Sequence, residues 1–340
     1  MINIELPDFE TDQVLKEAAK LHCLEMSDDV TILMNPKWSR PFGMLYMAIF
    51  LRQWRNLFPD LQFYARIGSG KAVDYSGHMG FFQTISEKIH IGKAPGEAAG
   101  NNNYVPITKL SIQKLRDASI ANGLYKLDGD LIELEACRLA TVLAADKQVQ
   151  YLLTYILREL MRNVPEHSGT DDLWVCGQHW INGDAEIAII DEGIGIKESL
   201  YKNASHRPYI ESDEDALRLA VKAGVSQAFR LGGKQRLDDT WSNSGFGLYA
   251  VSNFVKLLGG SFCLASGNSY LKMDESGKIT TGDSWFSGTA VKITLNRITV
   301  QNAEKLINEV IMNGEKEASG LRNVFKTASR PSKGLILKDG

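Results

Sequence analysis

Apolar residues recur along this chain at two spacings, one near 3.6 and one near 2, and the alternation of the two predicts a protein of helices and strands. Residues 29–34 form a β-branched apolar run closed by Asn35-Pro36. Pro41 to Leu57 is an apolar-rich helix candidate, and Leu61 to Ile67 alternates before Gly68-Ser-Gly70. This order predicts a small, separate α/β domain over residues 1–103. Its end, Lys93 to Asn103, holds Gly96, Gly100 and three consecutive asparagines without periodicity and reads as a linker, or as a loop that docks on the second domain. Helical spacing returns from Leu110 to Asn122 and from Ile132 to Gln150, with Gly123 breaking between them. Leu173 to Cys176 and Glu186 to Ile190 read as strands joined by a hairpin turn at Asn182-Gly183-Asp184, the second apolar on both faces as a central strand is. Residues 197–244 are polar and glycine-punctuated, with one helix candidate from Asp213 to Lys222, the kind of segment that serves as a lid. Tyr249 to Leu258 is a helix candidate stopped by Gly259-Gly260. Strands are expected at Ser261 to Ala265 and Thr289 to Leu295, a last helix at Gln301 to Met312, and a loosely ordered polar tail to Gly340.

Within this pattern one stretch, Tyr151 to Ile196, carries polar residues where the periodicity calls for apolar ones. On a helical wheel Val149, Leu152, Leu153, Ile156 and Leu160 form one stripe, Asn163 falls inside it, and Glu159 sits at its edge. A carboxylate and an amide side by side at i, i+4 suit a metal or a polar ligand, and equally an amide that satisfies a core hydrogen bond. The strand after this helix ends in Asp191-Glu-Gly-Ile-Gly195, where Gly193 and Gly195 let backbone pass close to a bulky group. Ser242-Asn-Ser-Gly-Phe-Gly-Leu248 opens directly into a helix, so Gly245 and Gly247 give an anion access to unpaired N–H groups at a helix start.

Composition narrows the classes. The 340 residues suffice for two domains, and 23% charged with 44% apolar residues is an ordinary soluble mix. A net charge of −3 gives no nucleic-acid or membrane-surface signal. Cys23, Cys137, Cys176 and Cys263 are far apart, which predicts reduced core thiols in a cytoplasmic protein rather than a zinc site or disulfides. The most apolar run, Phe42 to Leu51, is about half the length of a membrane span, and the N-terminus has no signal-peptide pattern.

Four segments in order resemble the GHKL ATPases, the superfamily of gyrase, the ninety-kilodalton heat-shock chaperones, histidine kinases and MutL. Glu159-Leu-Met-Arg-Asn163 is similar to the ExxxN box, Asp191-Glu-Gly-Ile-Gly195 to the DxGxG box, Gly245-Phe-Gly-Leu248 to the second glycine box, and Gly288-Thr289 to the GT beyond it. The resemblance covers residues 107 to 297. It implies an α+β fold in which residues 104–299 form a Bergerat α/β sandwich, with helices on one face of a mixed sheet, followed by a helix and tail over 300–340. It also implies ATP and Mg²⁺ as ligands. Asn163 would hold the metal, Asp191 would accept from the adenine amino group, Gly195 would pass beside the base, and Gly193 would belong to the same nucleotide-binding set. Thr289 would support Asp191, while Gly245, Gly247 and Leu248 would present N–H groups to phosphate, and Glu159 would be the general base. Lid cations Lys234 and Arg236 are candidates for the γ-phosphate, though they also suit a solvated loop, and His167 fits a helix-end histidine or a residue lining the site. The second glycine box departs from the family in lacking a longer Gly-Leu-Gly-Leu run.

Three functions are consistent with this resemblance: an ATPase acting as a conformational switch, with a homodimer or another protein as partner; a serine/threonine-type kinase acting on a partner; and a nucleotide sensor with little turnover. A sensor histidine kinase is disfavoured, because His22 lacks the acidic and Arg-Thr-Pro-like residues that mark a phosphorylated histidine helix. A transducer domain of the gyrase or MutL kind needs more than the forty residues after the ATPase region. The strand–helix order of residues 1–103 faintly resembles the STAS switch modules.

Overall fold

The computed structural model describes residues 1–225, 247–296 and 300–322, with side chains to residue 317. The chain opens with β1 (Ile2–Glu5), α1 (Thr11–His22), β2 (Val30–Met34), α2 (Pro41–Asn56) and β3 (Phe63–Ile67), followed by the short helices α3 (Lys71–His78) and α4 (Phe81–Ile85). The three strands pair in parallel in the order β1-β2-β3, as strand–helix–strand units do. After the segment 93–103 come β4 (Tyr104–Ser111), α5 (Ile112–Ala121), α6 (Asp128–Leu143) and α7 (Lys147–Asn163). The rest comprises β5 (Asp172–His179), β6 (Ala185–Asp191), α8 (Gly195–Tyr201), α9 (Asp213–Ala220), α10 (Gly247–Leu257), β7 (Ser261–Met273), β8 (Ile279–Leu295) and α11 (Ala303–Arg322).

A second sheet has the order β4-β5-β6-β8-β7. All its pairings among the described residues are antiparallel, where a mixed sheet was expected, because β5-β6 and β7-β8 are hairpins and β4 returns to β5 through three helices. The single helix expected from Ile132 to Gln150 is two, since Asp146 caps α7 by accepting from the Val149 N–H at 2.9 Å. The glycine-rich excursion before Thr289 is a continuation of the β7-β8 hairpin, with irregular register around Gly267. The last helix runs ten residues past Met312.

Why β6 is apolar on both faces is answered by its neighbours. Ala185, Ile187 and Ile189 point into a core with α6, α7 and α10, while Ala188 and Ile190 point into a second core built with α1 and α2. The sheet's second face is therefore covered by helices of the first hundred residues. Helix α2 lies between the two sheets and is buried from Pro41 to Leu51 and again at Trp54, as a helix apolar all round must be. That burial accounts for the run Phe42 to Leu51, each large side chain of which contributes roughly 1.5–3 kcal/mol. Among the described residues no helix is long and apolar enough to cross a membrane. Glu186, 1% exposed, faces the same side and accepts from the Phe42 N–H at 3.0 Å, so a residue of the central strand caps the start of α2. Arg40 and Lys292 stand 3.8 and 3.7 Å from its other oxygen. Cys176 and Cys263 are buried in this core, but Cys23 is exposed and is no core thiol.

Candidate functional site

The alternation that sorts β6 between two cores decides where its last residue points. Asp191 follows Ala185, Ile187 and Ile189 onto the α7 face, and Thr289 on β8 shares that face with Val291 and Ile293. The register sets Asp191 and Thr289 directly opposite each other. Asp191 accepts the Gly193 N–H at 2.9 Å, and Gly193 and Thr289 both act to lower its carboxyl. Burial nevertheless dominates: at 6% exposure the carboxyl is pushed up to about 6.

Helix α7 supplies the opposite wall. It is buried on nearly all sides from Leu152 to Arg162, because α6, α10 and α11 flank it, so the single stripe read from the sequence understates its burial. Glu159 is 7% exposed, and its Oε1 accepts from Arg158 at 2.7 Å, with Arg162 at 3.7 Å. Arg158, 2% exposed, also stands 3.7 Å from the buried Glu133 of α6, so a chain of charges runs from α6 to the site. Asn163 is half-buried and faces a cavity rather than the core. There the α-helix widens into a π turn, Val164–Ser168, which carries Glu166, His167 and Ser168 along the same wall.

The loop after β6 closes the floor. Ser168 C=O accepts the Ile194 N–H at 2.9 Å, and a Cβ on Gly193 would stand 2.3 Å from that oxygen, so only glycine fits. Gly195 has φ +77° and packs on Ser266, whose hydroxyl accepts the Ile196 N–H at 3.0 Å and donates to Gly288 C=O at 2.6 Å. Gly247 begins α10, and a Cβ there would reach Asn163 at 3.5 Å and Glu159 Oε2 at 3.8 Å. The start of that helix thus faces the carboxylate and the amide across a gap.

Glu159, Asn163, Asp191, Gly195, Gly247, Leu248 and Thr289 all line one cavity, together with His167, which the sequence left between two readings. Gly193 stands behind it, against Ser168. Gly245, Lys234 and Arg236 lie outside the described residues, as do positions 226–244 of the segment 197–244 read as a lid. Ser168, Ser266 and the Glu133–Arg158 pair escaped the sequence reading. Arg158 was legible as the neighbour of Glu159, whereas Ser266 depends on a strand register that no local pattern announces.

The cavity offers a buried acceptor at one end, and at the other an amide, a carboxylate and a helix start without a Cβ. Such a lining suits a ligand that brings a donor to the buried acceptor and an anion to the helix start. A single amide oxygen beside that gap fits Mg²⁺, which binds through one or two protein ligands plus phosphate and water. Residues 148–299 match the family model of the histidine kinase-, DNA gyrase B-, and HSP90-like ATPases. No curated protein matches the chain.

Proposed function

Residues 148–299 form an ATP-binding domain of the GHKL type, and from this premise we propose that the chain is a Mg²⁺-dependent ATPase that works as a nucleotide-driven conformational switch. The observation that carries the reading is the convergence, on one cavity, of the Asp191–Thr289 pair with Glu159, Asn163 and the start of α10. Asp191 accepts from the adenine amino group, and guanine, with a carbonyl at that position, is rejected. Asn163 would hold the metal, which would supply positive charge to neutralise the phosphates. The N–H groups of Gly247 and Leu248 face the phosphate oxygens, with Gly245 as their partner in the same box. Glu159 takes the proton of the attacking water, and Arg158 holds its carboxylate toward Gly247. The switch reading, rather than a stand-alone hydrolase, rests on the first hundred residues being packed on the back of the sheet that carries Asp191.

Two measurements test this. With γ-labelled ATP the expected product is free phosphate; label on this protein or a co-purified partner assigns the domain to the kinases instead. Gly247→Ala is expected to fold normally, since its new contacts are ordinary van der Waals distances and alanine favours a helix by roughly 0.5–1 kcal/mol. Yet its methyl fills the gap before the helix start, and a loss of ATP affinity of at least about tenfold is expected by titration calorimetry. Unchanged affinity would place the phosphates elsewhere.

A further inference from the structure

The adenine end of the cavity is gripped from outside the ATPase domain. Gln53, in the last turn of α2, donates from Nε2 to Ser287 C=O at 2.7 Å and accepts the Ser287 N–H on Oε1 at 3.1 Å. Both polar groups of one peptide position, two residues before Thr289, are thereby fixed by one side chain. Beside it Arg52 pairs with Glu192, the residue after Asp191, and lies over the Trp174 ring at 4.8 Å. Trp174 Nε1 donates to the same Glu192 oxygen at 3.0 Å.

We propose that Gln53 and Arg52 are positioning residues for base recognition, setting Thr289 and Asp191 in the register that reads adenine; this rests on the adenine role proposed for that pair. The stretch of β8 that Gln53 holds has no slack of its own. Gly288 has φ +109°, and a Cβ on it would stand 2.1 Å from Asp191 C=O, so β8 here lies directly on the end of β6. Ser266 fixes Gly288 from the inner side, and Gln53 fixes Ser287 from the outer side. A shift of Ser287 is therefore transmitted to Thr289 and through it to Asp191. Mere attachment of α2 does not require these contacts. It is secured elsewhere by the Glu186 cap on Phe42 and by Tyr46, whose hydroxyl bonds Ser284 at 2.5 Å and Trp285 C=O at 2.9 Å. The first hundred residues thus supply part of the nucleotide site's geometry, and a change in the position of α2 changes how tightly adenine is read.

The test compares Gln53→Ala, Gln53→Glu and Asp191→Asn with the parent, all as full chains, by titration with Mg·ATP, Mg·GTP and Mg·tripolyphosphate. Loss of one or two net hydrogen bonds predicts ATP binding about five- to tenfold weaker in Gln53→Ala, a smaller ATP-to-GTP affinity ratio, and unchanged tripolyphosphate binding. Gln53→Glu keeps the acceptor for Ser287 N–H, loses the donor to Ser287 C=O and keeps the side chain's shape, so it gives the same readout if the alanine variant fails to fold. An ATP-to-GTP ratio equal to the parent's in the folded variants, whether both affinities stay or both fall, overturns the positioning role. If Asp191→Asn loses ATP while the Gln53 variants keep the ratio, only this inference fails. If Asp191→Asn binds as the parent does, the adenine reading fails and this inference with it.

Discussion

Asp191→Asn is expected to remove ATP binding from titration calorimetry while making the nucleotide-free protein more stable at pH 8. Both outcomes trace to one buried carboxylate. One oxygen accepts the Gly193 N–H, Thr289 stands opposite, and the carboxylate retains capacity for an amino group. An asparagine has one acceptor oxygen for the same donors and turns an N–H₂ toward the rest, so a donor meets the adenine amino group. Losing a charge-assisted bond and leaving a donor unpaired costs roughly 3–5 kcal/mol, on the order of a hundred- to a thousandfold or more in affinity.

The stability outcome comes from the carboxyl being pushed up to about 6 by burial, from an ordinary value of 3.8. Between about pH 4 and 6 the folded state holds the Asp191 proton and the unfolded state has lost it. Folding is thus favoured at low pH, and that contribution is lost as the pH rises through about 6. The loss amounts to at most about 3 kcal/mol at 1.36 kcal/mol per unit. Asparagine resembles the protonated form and escapes this loss, so the variant gains over the parent at pH 8 and not at pH 4, as read by denaturant unfolding at the two pH values. In the parent, affinity for adenosine, which carries no titrating phosphate, is expected to fall as the pH drops below about 6. Identical pH profiles for parent and variant would show that Asp191 does not titrate in this range.

How much of this was legible in the sequence depends on whether the cause was local. The stripe of α7 with Asn163 in it, the glycines after Asp191 and the helix opening at Gly247 each arise from spacing along a few residues, and the structure brings Glu159, Asn163, Asp191, Gly247 and Thr289 to one cavity. The double-faced apolarity of β6 announced a central strand, yet not what covers its second face. Phe42 to Leu51 showed only an apolar run, and that the run is a helix between two sheets is a tertiary fact. The same holds for Gln53 and Ser287, which are 234 residues apart, and for Ser266, whose role depends on the irregular register of the long hairpin. Asp146 is the opposite case: its capping role was readable locally, and missing it merged α6 with α7.

Glu159→Gln is expected to keep ATP bound within about threefold and to lower phosphate release by roughly a hundred- to ten-thousandfold, the range for loss of a general base. Glutamine is the necessary probe because of the charges around the carboxylate. Arg158 is 2% exposed and makes its 2.7 Å bond to Glu159 Oε1. Alanine leaves that guanidinium with Glu133 at 3.7 Å as its nearest remaining carboxylate among the described residues, and removing one partner of a buried pair costs roughly 3–5 kcal/mol. Lost turnover in Glu159→Ala could then come from a displaced α7, with Asn163 displaced too, and ATP affinity would fall along with it. Glutamine retains an acceptor for Arg158 and the volume of the side chain, and lacks only the ability to take a proton. Retained binding with lost phosphate release in Glu159→Gln therefore isolates the chemical step. Phosphate release persisting within a few-fold of the parent would remove Glu159 from that step and leave it as the buried counter-charge that orders α7.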